Sequence, residues 1–381
     1  MRNKIKDITL ITIGNPMYLE TWSGVPYFLL KELQSKGYNV NVIDLEPNRY
    51  IKIIYNIIVL PIISLFIKRG ELSIYRSIFF LIYQHYVLKK KLYYFKNVDI
   101  IIGLSYNIMP PKASIPVLLF SDWPFLYKLK REGVELNWYH KFYTNREIKC
   151  MRNASRVISL FPTCANYINK VLGEEKAISL GINVVNNFSS EPREFLVSQK
   201  VKTRRIVFIG RSHYLQGAIA LILSYVELKN IFPEIVIDII GITKDDILQC
   251  GIKLNAVDNI NFWGYLDKGD IEQCKIYYNI LRNASLYVNT SNGWVGYTSM
   301  VEAMYYYTPV VVSPVPEFLE EFGEDIDFGV YCHSSEELVG IIKTIFSNEE
   351  KFDKLCKNAH KRVSEYTWSN FIDRLLDCVK L

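Results

Sequence analysis

Residues 286–314, LYVNTSNGWVGYTSMVEAMYYYTPVVVSP, constrain the fold more than any other stretch of the 381-residue chain. The apolar run Leu286–Asn289 is followed by a polar, glycine-bearing loop over Thr290–Tyr297, a helical pattern from Thr298 to Tyr307 and the β-branched run Val310–Val312. Strand, loop, helix and strand in that order make one βαβ unit, which commits this part of the chain to an α/β architecture. Ligands of such units sit beyond the carboxyl end of the strand, where the helix N-terminus offers unpaired N–H groups and a partial positive charge. Thr298 and Ser299 stand at that helix start, and Glu302 lies about one turn further on. Backbone amides can hold phosphate oxygens while a carboxylate accepts from two ribose hydroxyls, a combination suited to a nucleotide diphosphate. Glu302 also has a plainer reading, as an acidic residue complementing the helix dipole.

The same alternation recurs on both sides of a polar interruption. Upstream, the runs Ile8–Ile13, Val40–Asp44, Val98–Leu104, Pro116–Phe120, Arg156–Leu160 and Ala177–Leu180 read as strands. Helical patterns at Val25–Lys36, Asn137–Arg152 and Cys164–Leu172 fall between them, and Gly37 closes the first. Residues 184–202 are polar and lack apolar periodicity over most of their length, as a linker does. Downstream, strands are expected at Arg204–Ile209, Ile235–Ile240 and Asn261–Leu266, with a helix at Ile271–Asn283. A length of 381 residues exceeds what one core usually supports, so two domains are expected.

The charge of +6 favours anionic ligands or membrane surfaces but is too small to imply nucleic acid, and no nucleic-acid module is visible. Seven scattered cysteines, never spaced C-x-x-C, argue against a zinc site or a disulfide scaffold and for a reducing cytosol. The apolar run before Asn15 and Pro16 is too short for a signal peptide, so a cytoplasmic location is expected.

Residues 50–97 depart from the rest in being apolar and aromatic, with Lys89, Lys90, Lys91 and Lys96 toward the end. Lys52, Asn56, Pro61 and Ser64 break the run, which argues against a transmembrane helix. Two readings stand: a peripheral contact lying in the headgroup region on the inner face of the membrane, or a buried helical pair with a solvated lysine run.

Arg211 follows the strand Arg204–Ile209 directly, so its guanidinium is placed at the carboxyl end of a sheet and can fork onto a diphosphate. Gly24 would let the backbone approach a phosphate or sugar, or it is a turn residue before Pro26. Asp325-Ile326-Asp327 reads as a loop without catalytic context.

Several of these stretches together carry a resemblance. VEAM with PVVVS four residues later, Gly210-Arg211-x5-Gly217, Ser23-Gly24-x-Pro26-Tyr27, Gly181-Ile182-Asn183 and Tyr366-Thr367-Trp368-Ser369 resemble, in order, motifs of the retaining GT-B glycosyltransferases of family 4. The resemblance implies two Rossmann-like domains with parallel sheets facing a central cleft. An acceptor-binding domain is expected over 1–185, a linker over 186–202, a nucleotide-sugar-binding domain over 203–365 and a C-terminal helix crossing back over 366–381.

It also implies sugar transfer from a nucleotide diphosphate sugar to a saccharide or lipid-linked acceptor with retention of configuration, in cell-surface polysaccharide or glycoconjugate synthesis. The nucleotide sugar is a co-substrate, and neither cofactor nor metal is required. By resemblance Glu302 binds the donor ribose, Asp122 orients or deprotonates the acceptor hydroxyl, and Arg211 is catalytic through the leaving diphosphate. Gly24, Gly210, Gln216, Tyr265, Leu266, Thr298 and Ser299 join Arg211 and Glu302 in donor binding. Asp122 alternatively caps the turn before Trp123 and Pro124.

Three positions depart from the family pattern: Trp294 stands where a first Glu is usual, Gln216 replaces a Lys, and Tyr307 replaces a Gly. These departures support an alternative, a non-catalytic GT-B partner subunit with a degenerate donor site.

Overall fold

The computed structural model describes residues 5–68, 72–95, 97–109, 115–180, 200, 203–254, 258–292 and 297–379. The expected Gly181-Ile182-Asn183 motif, Trp294 and all of the expected linker except Lys200 lie outside them. The chain divides into two compact units, one of residues 1–182 with 371–381 and the other of residues 183–370. Each is built on a six-stranded sheet whose strands are all parallel.

In the first unit the strands are β1 (Asp7–Thr12), β2 (Asn39–Asp44), β3 (Ile100–Gly103), β4 (Val117–Ser121), β5 (Arg156–Ser159) and β6 (Ala177–Ser179). Their spatial order is β2-β1-β3-β4-β5-β6. The central strands β1, β3 and β4 are buried along nearly their whole length, the consequence of continuous β-branched and aliphatic runs covered on both faces. Helix Val25–Ser35 follows Gly24, which takes a left-handed φ of 85°, and has Pro26 in its first turn. Ser77 and Asn137 accept from backbone amides at the starts of helices Ile78–Tyr94 and Trp138–Asn153. The last segment of the chain belongs to this unit: Phe371 packs on Phe120 of β4 at 5.3 Å, and Lys36 pairs with Asp373 at 2.8 Å.

The second unit contains β7 (Arg205–Ile209), β8 (Val236–Ile240), β9 (Ile260–Gly264), β10 (Leu286–Asn289), β11 (Val310–Val312) and β12 (Gly329–Tyr331), in the order β12-β11-β10-β7-β8-β9. Its core is formed by β7, β8, β10 and β11 with helices Leu215–Ile231, Leu338–Phe346 and Glu349–Val363. Lys200 does not behave as a linker residue. Its ammonium is buried and donates to Thr308 Oγ1 at 2.6 Å and to the Leu281 carbonyl at 3.3 Å, and burial pulls its pKa down to about 7.

The helix of the βαβ unit spans Tyr297–Tyr305, and two residues beyond it Tyr307 has φ 59°. Glycine commonly supplies this left-handed geometry just past a helix end. Here a tyrosine adopts it, with its ring stacked on His360 at 4.1 Å and an interplanar angle of 13°. Tyr307, where the resemblance expects a glycine, thus takes a left-handed backbone that glycine adopts without strain.

Candidate active site

In the second unit, glycines bring the carboxyl ends of β7, β8 and β9 close together. The Gly210 amide donates to the Ile240 carbonyl at 3.0 Å, and the Gly241 amide to the Gly264 carbonyl at 2.6 Å. A Cβ on Gly241 would lie 2.4 Å from the Gly210 carbonyl oxygen, so only glycine permits this approach. Arg211 emerges from the resulting floor, exposed, with its guanidinium 4.6 Å from the Tyr265 ring centroid. The ring holds the cation by its negative face and leaves the N–H fork open to solvent.

Strands β7 and β10 are neighbours, and the chain beyond each runs into a helix. Side chains tie the two exits together. Ser291 Oγ donates to the Tyr214 carbonyl at 3.2 Å, and Asn289 Nδ2 donates to the Ile209 carbonyl at 3.4 Å. A Cβ on Gly217 would lie 2.5 Å from Ser291 Oγ, so helix Leu215–Ile231 begins hard against the loop that follows β10. Helices Leu215–Ile231 and Tyr297–Tyr305 thus start near the carboxyl ends of adjacent parallel strands, where their positive dipole ends suit an anion. Exposed Gln216 sits at the first of these starts. Thr298 and Ser299, half-buried, sit at the second, with Ser299 Oγ 2.9 Å from the Tyr287 hydroxyl. Burial pushes the Tyr287 hydroxyl up to about 12, so it stays a neutral donor and acceptor. A small pocket lined by Tyr287, Asn289, Ser291 and Ser313 opens at the ends of β10 and β11.

Glu302 differs from its expected posture. Its side chain is 1% exposed, and both carboxylate oxygens lie 2.8 Å from Lys268 Nζ. The Tyr277 hydroxyl donates to Oε2 at 2.6 Å, and Lys268 Nζ also sits 4.3 Å from the Tyr277 ring centroid. Burial and the adjacent carboxylate together raise Tyr277 well above the ordinary phenol range. Glu302 is therefore the centre of a Lys–Glu–Tyr cluster and presents no open carboxylate. Lys268 and Tyr277 carried no local signal in the sequence, since each meets Glu302 across 34 and 25 residues of chain. Leu266 is likewise turned inward at 8% exposure, which leaves the neighbouring Tyr265 as the side chain at the surface of that loop.

In the first unit, Asp122 follows β4 and accepts from Trp22 Nε1 at 3.1 Å. Trp22 packs on Phe120 at 5.6 Å and is held by an unusual backbone: Trp22, Ser23 and Gly24 have consecutive φ values of 40°, 54° and 85°. Left-handed geometry at two non-glycine residues costs about 1–2 kcal/mol each, and such strain concentrates where a side chain must be aimed. Burial pushes the Asp122 carboxyl up to about 6 while the indole bond opposes the rise. At neutral pH it is mostly ionised yet basic enough to take a proton. Gly24 is buried, and a Cβ there would lie 2.9 Å from the Phe28 ring. It serves as the αL residue that ends this loop and begins the helix.

His140 is buried in helix Trp138–Asn153, and His213 is exposed after Arg211. Asp325-Ile326-Asp327 lies in a loop beside edge strand β12, where with His333, Lys351 and Lys354 it lines a pocket of about 470 Å³. Among the described residues no cluster of His, Cys, Asp and Glu has a metal-binding arrangement.

Comparison with known proteins places this geometry. The family model described as "Glycosyl transferases group 1" matches residues 191–362. No curated protein matches the chain significantly. Among solved structures, sucrose-phosphate synthase from Thermosynechococcus elongatus superposes with a TM-score of 0.69 at 14% identity, over 98% of each chain. Anabaena HepE in complex with UDP-glucose gives 0.58 at 15% identity, over 98% of each chain. S. aureus TarM, solved with UDP, gives 0.56 at 17% identity, and the match covers 78% of this chain but only 58% of TarM. At these identities the likeness concerns the fold. The chain has the GT-B fold, and its residues 191–362 match the family described as glycosyl transferases group 1.

Proposed function

We propose that the chain transfers a sugar from a nucleotide diphosphate sugar to a saccharide or lipid-linked acceptor, with retention of configuration, in the synthesis of a cell-surface polysaccharide or glycoconjugate. The observation that carries this reading is the pairing of two helix N-termini with Arg211 at the carboxyl ends of β7 and β10. Such a constellation can hold a diphosphate in the ground state and meet the charge that develops on it as the glycosidic bond breaks. In this reading Gly210 and Gly217 let the Tyr214 ring and the loop after β10 pack closely and so hold the first helix start toward the phosphates, Gln216 donates where a lysine is usual, and Tyr265 supports Arg211 and the base. Asp122, aimed by Trp22, orients the acceptor hydroxyl or takes its proton. Arg211 and the helix dipoles suffice for the leaving group without a metal. The neighbours solved with UDP or UDP-glucose favour a uridine donor.

The Lys268–Glu302–Tyr277 cluster favours a second reading, a non-catalytic GT-B partner whose ribose-binding carboxylate has been taken over by structure. Calorimetric titration with UDP-, GDP- and dTDP-sugars separates the two. The enzyme reading expects saturable binding that weakens about 10- to 100-fold in Arg211→Ala, the loss of one or two charge-assisted hydrogen bonds. A folded protein that binds none of the donors would sink it and leave the partner reading. The anomeric configuration of the product, read by NMR, tests retention.

A further inference from the structure

Helix Arg49–Ile54 runs without a break through a π turn at Tyr55–Val59 into helix Leu60–Ser64. The π turn ends two residues before Pro61, which has no N–H to give to the preceding turn. Along this rod Tyr50, Ile53, Ile54, Ile57, Ile58 and Ile62 recur at the 3.6-residue spacing that normally marks a core-facing stripe. Here the stripe faces outward, with Ile57 69% exposed, and the chain continues into Leu65 and Phe66 at 79% and 72%. Helix Ile78–Tyr94 buries Phe80 and Leu88 on one face yet carries a second apolar stripe on the other. Ile78, Ile82 and Tyr86 are exposed at intervals of four, while the polar Gln84 is fully buried. The two helices flank one residue, Glu46, which pairs with Lys52 and accepts from Tyr83 through its carbonyl at 3.1 Å.

An exposed apolar surface of this extent needs a cover, because monomeric soluble proteins rarely expose contiguous apolar patches of more than a few hundred Å². Charge identifies which cover. Between Pro47 and Val98 there are nine Lys and Arg residues and a single acidic one, Glu71. Lys89, Lys90 and Lys91 are exposed at the end of helix Ile78–Tyr94, directly before exposed Tyr93 and Tyr94. Isoleucine and phenylalanine for the acyl boundary, tyrosine at headgroup depth and lysine toward phosphate are the three layers of a bilayer interface. No described helix is long and apolar enough to cross a membrane. We propose that this face of the first unit docks in the plane of an anionic lipid bilayer, with the isoleucine stripe in the acyl boundary and the lysine run on lipid phosphate.

Co-sedimentation of the full chain with vesicles of pure phosphatidylcholine and of 70:30 phosphatidylcholine:phosphatidylglycerol tests this, with Leu223→Ser on the second unit as a control that leaves binding unchanged. The expected result is binding to the anionic vesicles at least about 100-fold tighter. Replacing Lys89, Lys90 and Lys91 by Gln should lower that binding on the order of 100-fold while sparing the weak affinity for neutral vesicles. Ile57→Ser with Ile58→Ser should reduce binding to both vesicle types, and thermal unfolding of these surface variants should match that of the parent. Three outcomes would overturn the proposal: no binding to either vesicle, equal binding to both, or a dimer in lipid-free buffer that the isoleucine variant dissolves. In the last case a second copy of the chain, not lipid, covers the face.

Discussion

The Lys268–Glu302 pair allows a quantitative test of how the second unit is held together. Replacing Lys268 by Met keeps the side-chain length but leaves a carboxylate at 1% exposure with only the Tyr277 hydroxyl beside it. Removing one partner of a buried pair typically costs about 3–5 kcal/mol. Lys268 itself is 22% exposed, so water can enter behind the methionine, and the expected cost falls to about 2–4 kcal/mol. Glu302→Gln removes the charge instead. Its amide oxygen still accepts from Tyr277 and the lysine can turn to solvent, so about 1–2 kcal/mol is expected. The double variant has neither charge and should cost little more than Glu302→Gln, giving a coupling of about 2–3 kcal/mol. Urea denaturation followed by circular dichroism, with an unchanged slope as the condition for comparison, supplies the three values. Lys268→Met alone should also lower the melting temperature by about 4–16 °C in a unit of this size. If the two single costs add to the double within about 0.5 kcal/mol, the ion pair is not coupled and the description of Glu302 as the centre of the cluster fails.

Four further outcomes are expected. Tyr307→Ala keeps the left-handed strain and loses the stack on His360, so it should destabilise by about 1 kcal/mol, whereas Tyr307→Gly trades strain against the stack and should stay within about 0.5 kcal/mol of the parent; equal losses would remove the stacking argument. Asp122 binds its proton more tightly folded than unfolded, so its contribution is full below the ordinary 3.8 and is lost as pH rises through about 6; the stability of the parent relative to Asp122→Asn should fall by about 3 kcal/mol between pH 3.5 and 8, and a flat difference would refute the burial. Gly24→Ala places a Cβ against Phe28 at φ 85° and should cost about 1–2 kcal/mol while shifting the Trp22 fluorescence; an unperturbed spectrum would show that the turn does not aim the indole. Transfer activity should survive EDTA unchanged, and loss restored by a divalent ion would refute the metal-free reading of the leaving group.

The α/β order was legible because the strands are continuous apolar runs separated by amphipathic or glycine-closed helices. Strand β10, strand β11 and the helix Ile271–Asn283 match the boundaries expected from residue type alone. Edge strand β12 is not legible because Gly329–Tyr331 opens on glycine and holds one β-branched residue, whereas the equally short β11 is three valines. The Gly-Arg loop was legible in the same local way. The partners of Glu302 and Asp122 were not, since Lys268, Tyr277 and Trp22 reach them through the fold rather than along the chain, and neither Trp22 nor Ser23 is a residue type that favours left-handed backbone. Tyr307 shows a further limit: a residue type that rarely takes left-handed backbone does so here, with its ring stacked on His360, a partner distant in the chain.

The discontinuity of the first unit has a consequence for biosynthesis. Its strands β1 to β6 leave the ribosome first, yet Phe371, which covers Phe120, and Asp373, which pairs with Lys36, follow only after the roughly 190 residues of the second unit. At about 5–20 residues per second that delay is on the order of 10–40 s, during which the aromatic face of β4 waits without its cover. The nascent first unit is thus a natural client for holding chaperones, and a translation stall within the second unit prolongs that exposure.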